Sequence, residues 1–380
     1  MWAAKGGTRM NMTAELGGLV LRNPVMVAAG PWSGSAEGVR KCIEAGAGAV
    51  VTETIAMETY PILHPYLHAQ GTQFFNVKLY SHQYLEQWEN GLAALDKDGA
   101  RLICSIWGET ASEVRYLAAC VERMGADAIE LSLSAPVGSR YRSYSTYPER
   151  TAKIVEAAVK AADLPVFVKL PYEACFFPEM LQAIYDAGAK VVTAIECLKG
   201  LSGVDLENKQ TFMPTFGGYS SENIRPISLA ATAMLKQYTP FQICSCGGIS
   251  TARHALESIM LGASATQLAS AIHIGGYEVI GHVLHGLEDW MEQHDHAGFS
   301  EIRGAALSSL RPFEDIRPRP VRAKLLKPCA TDCNICRLGC IYDAITRQED
   351  GSIALNQKAC AGCGYCLARC PEKKFAWDWI

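Results

Sequence analysis

Four stretches of the chain share one pattern, and this pattern decides the fold: EAGAGAVV at residues 44–51, MGADAIEL at 124–131, DAGAKVVT at 186–193 and LGASATQL at 261–268. In each stretch an amphipathic segment ends at a Gly-Ala pair, and a short run rich in apolar or β-branched residues follows directly. Glycine just after a helix is a typical helix stop, and β-branched residues favour strands. The pattern therefore predicts helices that lead straight into strands.

Eight strand-like runs of this kind alternate with helical segments over the first 310 residues. They are residues 24–28, 49–54, 101–107, 128–132, 166–170, 191–195, 241–245 and 265–268. Even spacing of eight strands favours the α/β class with a closed (β/α)8 TIM barrel over a doubly wound open sheet. The active site of such a barrel lies at the carboxyl ends of its strands.

The composition excludes several classes of protein. With 49% hydrophobic and 19% charged residues, the 380-residue chain is not intrinsically disordered. Its net charge of −4 does not favour nucleic acid as a partner. No apolar run reaches the roughly 18 residues that a membrane span needs, and the first residues lack the apolar core of a signal peptide. We therefore expect a cytoplasmic protein without a membrane partner.

Eight of the 15 cysteines lie close together near the end of the sequence. They form two quartets, CATDCNICRLGC at residues 329–340 and CAGCGYCLARCP at 360–371. The second quartet resembles the bacterial ferredoxin run, in which three close thiolates bind one 4Fe–4S cluster and the fourth binds the other cluster. That resemblance implies one cluster on Cys329, Cys333, Cys336 and Cys370, and a second on Cys360, Cys363, Cys366 and Cys340. A pair of Zn(Cys)4 knuckles is the alternative, since zinc also uses C-x2-C pairs.

The segment between barrel and cysteines, RPFEDIRPRPVRAKLLK at 311–327, is rich in Pro and Arg and has no clear period. We interpret it as a linker. The predicted domains are then a barrel with an N-terminal extension at 1–310, the linker at 311–327 and a small ferredoxin-like domain at 328–380.

Gly217-Gly218, Gly247-Gly248 and Ala269-Ser270 follow the last three barrel strands. The loops after strands seven and eight commonly bind phosphate in such barrels.

Several motifs together are similar to those of the dihydroorotate dehydrogenase family. They are NPVMVAAGP at 23–31, AVVTETI at 49–55, ELSLSAP at 130–136, PVFVKL at 165–170, GGYSSENIRPISL at 217–229 and CGGIST at 246–251. With the eight-cysteine tail, the likeness extends to the dihydropyrimidine dehydrogenases. The resemblance implies an FMN-dependent oxidoreductase of CH–CH bonds, whose flavin exchanges electrons with the two clusters.

The resemblance also implies which residues contact FMN. Those carried over are Ala28, Ala29, Gly30, Thr54, Asn76 and Lys169 around the ring, and Gly218, Gly247, Gly248, Ala269 and Ser270 around the phosphate. Lys169 would lie at the N1/O2 edge of the flavin, where a cation stabilises the reduced anionic ring.

Three departures from the family pattern change the expected substrate site. Ala135 stands where the family has a Cys or Ser base, Glu53 where it has Lys, and Glu196 where it has Asn. A substrate carboxylate beside Glu53 would be unfavourable. We therefore predict a conjugated cyclic substrate other than dihydroorotate, contacted by Glu53 and Glu196. A pyrimidine enzyme with a relocated acid/base, and an electron-transfer subunit with an unused pocket, are the alternatives.

The acid/base that replaces Ala135 has several candidates. Tyr141 lies between two arginines that would lower its pKa, histidines occur in the long loop after strand two, and burial could make Glu53 or Glu196 the base. The predicted catalytic residues are Glu53, Tyr141, Lys169 and Glu196.

The predicted partners are a small conjugated substrate and, for electrons, ferredoxin, flavodoxin or an NAD(P)H-dependent flavoprotein subunit, with a homodimer compatible with this family.

Overall fold

The computed structural model of the protein describes residues 10–59, 62–134, 146–329 and 333–379. The chain divides into two compact units, of which the first ends at Ser309 and the second begins at Leu310. Within the described residues, no helix has the length and apolar character needed to cross a bilayer.

The first unit is built on a closed barrel of eight parallel strands, which confirms the predicted fold class. The strands are Val25–Val27, Ala49–Val51, Arg101–Ile106, Ala128–Ser132, Val166–Leu170, Val191–Ala194, Gln242–Cys246 and Ala265–Leu268. Each pairs with the next along the chain, and Thr266 of the last strand pairs with Val25 of the first. All eight lie within the runs predicted from the sequence or within three residues of their ends.

Helices surround this barrel, and three of them begin with a typical side-chain cap. The α-helices are Ala36–Glu44, Leu85–Ala93, Ala111–Arg123, Pro148–Val159, Pro178–Asp186, Arg225–Tyr238, Ala252–Met260, Ser270–Gly275 and Glu278–Gln293. Short 3-10 helices cover Pro31–Ser33, Tyr172–Phe176, Glu222–Ile224, Phe299–Glu301, Leu307–Ser309 and, in the second unit, Phe313–Asp315. The side chains of Ser35, Thr110 and Thr251 accept hydrogen bonds from backbone N–H groups in the first turns of their helices.

The turns from helix to strand have the form that the four opening stretches predict. Their glycines all have positive φ: Gly46 (103°), Gly125 (86°), Gly188 (108°) and Gly262 (100°). Left-handed backbone is unfavourable for residues with a Cβ, so glycine ends each helix and lets the chain enter the barrel directly.

A two-stranded hairpin, Ala14–Leu16 with Leu19–Leu21, closes the amino end of the barrel. Its leucines Leu16 and Leu21 are fully buried and pack in the barrel interior with Phe167. The turn residue Gly17 has φ 60°, and a Cβ there would lie 2.7 Å from the ring of Phe167. Glycine therefore lets the hairpin lie flat against the interior side chains.

The loops after strands two and six join in a four-stranded antiparallel sheet at the carboxyl end of the barrel. Its strands, in spatial order, are Leu198–Gly200, Gly217–Ser220, Gln73–Asn76 and Leu67–Gln70, and a small hairpin pairs Val204–Asp205 with Gln210–Thr211. Gly217 and Gly218 thus lie in a strand and not in an irregular loop. A Cβ on Gly217 would lie 3.0 Å from the backbone oxygen of Asn76, so glycine permits the close pairing.

The second unit has two strand pairs and two short helices, and Cys336 and Cys366 lie within these helices while the other six cysteines lie outside them. The pairs are Val321–Leu325 with Phe375–Trp379 and Ile345–Arg347 with Ile353–Leu355, and the helices are Ile335–Leu338 and Tyr365–Arg369. The structure corrects the predicted linker 311–327, because residues 321–325 form a strand of this unit. Ala323 in that strand is buried in the same apolar cluster as Phe375, and its Pro- and Arg-rich surroundings obscured this short strand in the sequence.

The left-handed glycines give a direct test of the fold. Gly125→Ala should lower the free energy of unfolding by about 1 kcal/mol, because alanine is strained at positive φ. No atom lies within 4 Å of the added Cβ, so the loss of stability measures the backbone strain of alanine at this φ alone. Urea denaturation followed by tryptophan fluorescence measures it.

Gly281→Ala is the matched control, because Gly281 lies inside the helix Glu278–Gln293 and the nearest atom to its added Cβ is 3.8 Å away. There alanine should stabilise the protein by up to about 1 kcal/mol. Equal losses in the two variants would contradict the conformational role of Gly125.

Candidate active site and cysteine module

The carboxyl end of the barrel encloses a cavity of about 1200 Å³, including the part open to solvent. Most positions that the resemblance assigns to FMN line it, namely Ala28, Ala29, Thr54, Asn76, Lys169, Gly218, Gly247, Gly248, Ala269 and Ser270. Gly30 is not on the wall; a Cβ there would lie 2.3 Å from the ring of Trp32, which does line the cavity. Every barrel strand contributes a wall residue at or near its carboxyl end.

One end of this cavity is bare backbone. Gly247 and Gly248 have φ of 122° and 74°, and a Cβ on Gly248 would lie 2.8 Å from the backbone nitrogen of Arg225. Glycine is therefore required here, and no side chain covers the main chain on the cavity side. Ser270, also on the wall, begins the helix Ser270–Gly275. Exposed main chain of this kind suits the binding of a phosphate group.

Lys169 is a buried cation on the cavity wall. Its Nζ lies 3.4 Å from Oε1 of Glu130 and donates a hydrogen bond of 2.9 Å to Oε1 of Gln267. Glu130 is fully buried and also accepts a hydrogen bond from Nε2 of Gln267 at 2.7 Å. Burial acts to lower the pKa of Lys169, but Cys246, Glu130 and Glu196 around it raise the pKa above its ordinary value. Lys169 therefore carries a positive charge at neutral pH.

Glu196 places a carboxyl on the same wall, just after the sixth strand. Ser132 donates a hydrogen bond of 3.2 Å to Oε1, and Ser134 donates one to Oε2. Desolvation by the surrounding protein raises the pKa of Glu196, while the two serines and Lys169 oppose that rise. The pKa of this carboxyl therefore lies above that of an exposed glutamate. A group of this kind can donate a proton to a ligand in the cavity.

Glu53 does not line the cavity, which corrects its predicted contact with the substrate. Its carboxylate forms a buried ion pair with the ammonium group of Lys78, and the two side chains are 3% and 6% exposed. Lys78 does line the cavity. The wall therefore carries a cation where the sequence suggested an unpaired carboxylate.

Sequence reasoning also missed Trp32, Tyr80 and His273, whose side chains lie on the wall. Trp32 meets His273 edge to face with 5.3 Å between ring centres. Tyr80 stacks on Trp107 at 4.6 Å and donates a hydrogen bond of 3.3 Å to the backbone oxygen of Ser134. Trp32 and His273 lie in short helices, and Tyr80, like Lys78, lies in a loop. Their approach to the cavity depends on contacts between distant segments that no local pattern signals.

Two of the predicted features lie outside the described residues. Ala135 and the candidate acid/base Tyr141 fall in residues 135–145, so the hypothesis for Tyr141 stays a prediction. Of the histidines, His68 lies in the strand Leu67–Gln70 and stacks on Phe212 with 4.9 Å between ring centres, away from the cavity wall.

In the second unit, the eight cysteines surround two small cavities. Cys329, Cys333, Cys336 and Cys370 line one, and Cys340, Cys360, Cys363 and Cys366 line the other together with Cys336. The last members of the two sequence quartets, Cys340 and Cys370, are thus exchanged, which is the arrangement that the ferredoxin resemblance implies. In the parts of the chain that the structure describes, no three Cys, His, Asp or Glu side chains are arranged to hold a single metal ion.

The surroundings of these thiols fit iron–sulfur clusters. The backbone N–H groups of Ala323 and Lys374 donate to the sulfurs of Cys360 and Cys370, at 3.4 and 3.3 Å. Such hydrogen bonds to sulfur are a known means of tuning cluster potentials. Burial, helped by neighbouring cysteines, raises the pKa of Cys366 to about 11, so a bound cation would be needed to keep this thiol ionised near neutral pH.

The chain is similar to known proteins over most of its length. The sequence pattern described as dihydroorotate dehydrogenase matches residues 11–291. The catalytic subunit of dihydroorotate dehydrogenase B (NAD(+)) from Pyrococcus furiosus is 30% identical over 308 residues, which cover 78% of this chain and 99% of that protein. The same subunit from Methanocaldococcus jannaschii is 29% identical, with 76% and 96% covered.

A further relative is the NAD-dependent dihydropyrimidine dehydrogenase subunit PreA of Escherichia coli. It is 27% identical over 347 residues, which cover 86% of this chain and 84% of that protein. The match of the family pattern to most of the barrel, together with relatives aligned over nearly their whole length, shows that the chain belongs to the dihydroorotate dehydrogenase family of flavin-dependent oxidoreductases.

Proposed function

We propose that the protein is an FMN- and iron–sulfur-dependent oxidoreductase that adds or removes two electrons across a carbon–carbon bond of a conjugated, cyclic substrate. The observation that carries the proposal is Glu196, a carboxyl with a raised pKa on the wall of the barrel cavity. Reduction of a C=C bond needs a proton as well as a hydride, and a protonated carboxyl in the cavity can supply that proton.

Two features of the cavity wall, an uncovered stretch of backbone and a cation, suit FMN. The bare backbone at Gly247 and Gly248 suits the phosphate, and the cation of Lys169 suits the N1/O2 edge of the ring. When bound, FMN supplies or accepts the hydride. The residues that would hold the ring are Ala28, Ala29, Thr54, Asn76 and Lys169, and those that would hold the phosphate are Gly218, Gly247, Gly248, Ala269 and Ser270.

The chain itself handles the proton. Ser132 and Ser134 hold the Glu196 carboxyl in place through hydrogen bonds to its two oxygens. In substrate reduction Glu196 donates its proton to the ring carbon, and in the reverse direction it accepts one. Because alanine cannot titrate, Glu196 takes the task that the family gives to a Cys or Ser at the position of Ala135.

We further propose that the eight cysteines bind two 4Fe–4S clusters, which carry electrons one at a time between the flavin and an external partner. Support comes from the two cysteine-lined cavities and the N–H groups directed at Cys360 and Cys370. Two relatives carry NAD in their names and are called subunits. An NAD(P)H-dependent flavoprotein subunit is therefore the first partner to test, with ferredoxin or flavodoxin as the others.

A pyrimidine substrate is the second candidate, and the pairing of Glu53 with Lys78 favours it. The electrostatic argument against dihydroorotate assumed a carboxylate of Glu53 beside the substrate. Since Lys78 neutralises that carboxylate, the argument no longer holds. A third function, electron relay with an unused pocket, is disfavoured because the wall keeps titratable groups at defined positions.

The role of Glu196 predicts a pH profile. The pKa of Glu196 is raised, so substrate reduction should be fastest below that pKa and should fall as the pH rises through it. Glu196→Gln should slow reduction about 10²- to 10⁴-fold and remove this limb of the profile. The measurement is anaerobic reoxidation of the reduced flavin by uracil, orotate and 2-cyclohexenone in a stopped-flow spectrometer.

Glu149→Gln is the matched control, because Glu149 is exposed on the helix Pro148–Val159. It should leave the rate and the pH profile unchanged. A Glu196→Gln enzyme with normal flavin content and an unaltered profile would rule out Glu196 as the proton donor.

The crossed assignment of the cysteines predicts a pattern of iron loss. The wild-type protein should contain about eight iron atoms, and loss of one cluster should remove about four. Cys340→Ser and Cys363→Ser should remove the same cluster, so the double variant loses no more iron than either single variant. Cys340→Ser with Cys333→Ser should lose both.

Iron and acid-labile sulfide analysis of anaerobically purified protein measures these losses. Cys120→Ser, a change at a buried cysteine of the barrel, is the control and should keep all the iron. Zinc in place of iron would contradict the cluster proposal, and additive losses for Cys340→Ser with Cys363→Ser would contradict the crossing.

A further inference from the structure

We propose, on the basis of the proposed function, that Lys78 is a specificity-determining residue whose ammonium group binds an electronegative oxygen of the substrate, with Glu53 as the residue that positions it. The substrate class then narrows to rings that carry a carbonyl or carboxylate oxygen.

The ion pair is fixed from two separate loops. Glu53 comes directly after the second barrel strand, and its backbone N–H donates a hydrogen bond of 3.0 Å to the oxygen of Ser33. Lys78 follows the sheet strand Gln73–Asn76, and its backbone N–H donates one of 2.7 Å to Oδ1 of Asn76. Of the two residues, Lys78 lines the cavity and Glu53 does not. We therefore infer that the ammonium group faces the cavity and that the carboxylate lies behind it.

Stability alone does not explain this pair. Within the described residues, the second carboxylate oxygen of Glu53, Oε2, is buried without a hydrogen-bond partner. A buried charge with an unsatisfied oxygen is costly, and replacing buried ion pairs by apolar side chains often stabilises proteins. The arrangement does, however, hold a dehydrated cation at the cavity, where its interaction with a ligand is stronger than it would be in water.

The groups around Lys78 indicate what the ligand must present. An ammonium group has three N–H donors, and Glu53 accepts from it at one oxygen. Because Oδ1 of Asn76 accepts the N–H of Lys78, the Nδ2 donor of Asn76 is left for other partners. The carboxyl of Glu196 lies on the same wall and is a further donor in its protonated form. Donors of this kind complement an acceptor oxygen and disfavour the cationic substrate that two unpaired carboxylates would bind.

Sulfite tests this charge without knowledge of the substrate. Its sulfur lone pair adds to N5 of an oxidised flavin, which forms an N–S bond and leaves the added negative charge on the adduct; no oxidant or reductant takes part. The adduct bleaches the flavin absorbance near 450 nm, so titration of the FMN-loaded protein gives a dissociation constant. A cation beside the reacting face stabilises the adduct.

Lys78→Met should weaken sulfite binding at least tenfold at unchanged FMN content. Lys78→Arg, which keeps the charge, should stay within threefold of the wild type, and Glu53→Gln should tighten binding because it removes the opposing charge. Lys160→Met, at an exposed lysine on the barrel surface, is the matched control and should have no effect. With a cyclic carbonyl compound that is turned over, Lys78→Met should raise KM more than it lowers kcat.

An unchanged sulfite affinity in Lys78→Met would overturn the proposal, even if the melting temperature fell, because the pair would then be structural only. Absence of any sulfite adduct in the FMN-loaded wild type would overturn it as well. A protein that neither purifies with FMN nor takes it up would instead refute the proposed function, so the two failures are distinguishable.

Discussion

The hydrogen-bonded pairing of the last barrel strand, Ala265–Leu268, with the first, Val25–Val27, is the constraint on which the rest of the structure depends. In an open sheet these two strands would lie at opposite edges. Closure places Ala28 and Ala269 on one cavity wall, although they lie at opposite ends of the barrel sequence. It also turns eight separate strand ends into a ring, so that side chains from every part of the barrel face one space.

Charge at this ring is distributed in opposed pairs. Lys169 lies beside Glu130, and Lys78 beside Glu53. Each lysine lines the cavity and each glutamate does not. Charges taken out of water need partners, and here the partners are on the side away from the ligand. At these two pairs the wall thus presents the lysine to the contents of the cavity, and the glutamate lies behind it.

The sequence was sufficient for features that depend on local patterns. The eight strands and the left-handed glycines such as Gly125 follow from runs of a few residues, and most of the residues that the family motifs single out do line the cavity. The strand Val321–Leu325 and the pairing of Glu53 with Lys78 did not follow, because each depends on a partner in another segment of the chain. The sequence shows that Glu196 departs from the family pattern. The rise of its pKa comes from burial by the surrounding protein, which only the structure shows.

The hairpin whose leucines Leu16 and Leu21 fill the amino end of the barrel has a kinetic consequence. Among the described residues, this leaves the carboxyl end of the barrel, beside the four-stranded sheet, as the way into and out of the cavity. Substrate and product then share one entrance, so slow release of the product delays binding of the next substrate. A nicotinamide cofactor that entered to deliver hydride would compete with substrate and product for the same entrance. Electrons that arrived through clusters in the cysteine-rich unit would not need this entrance. A bound flavin could then be reduced while substrate or product occupies the cavity.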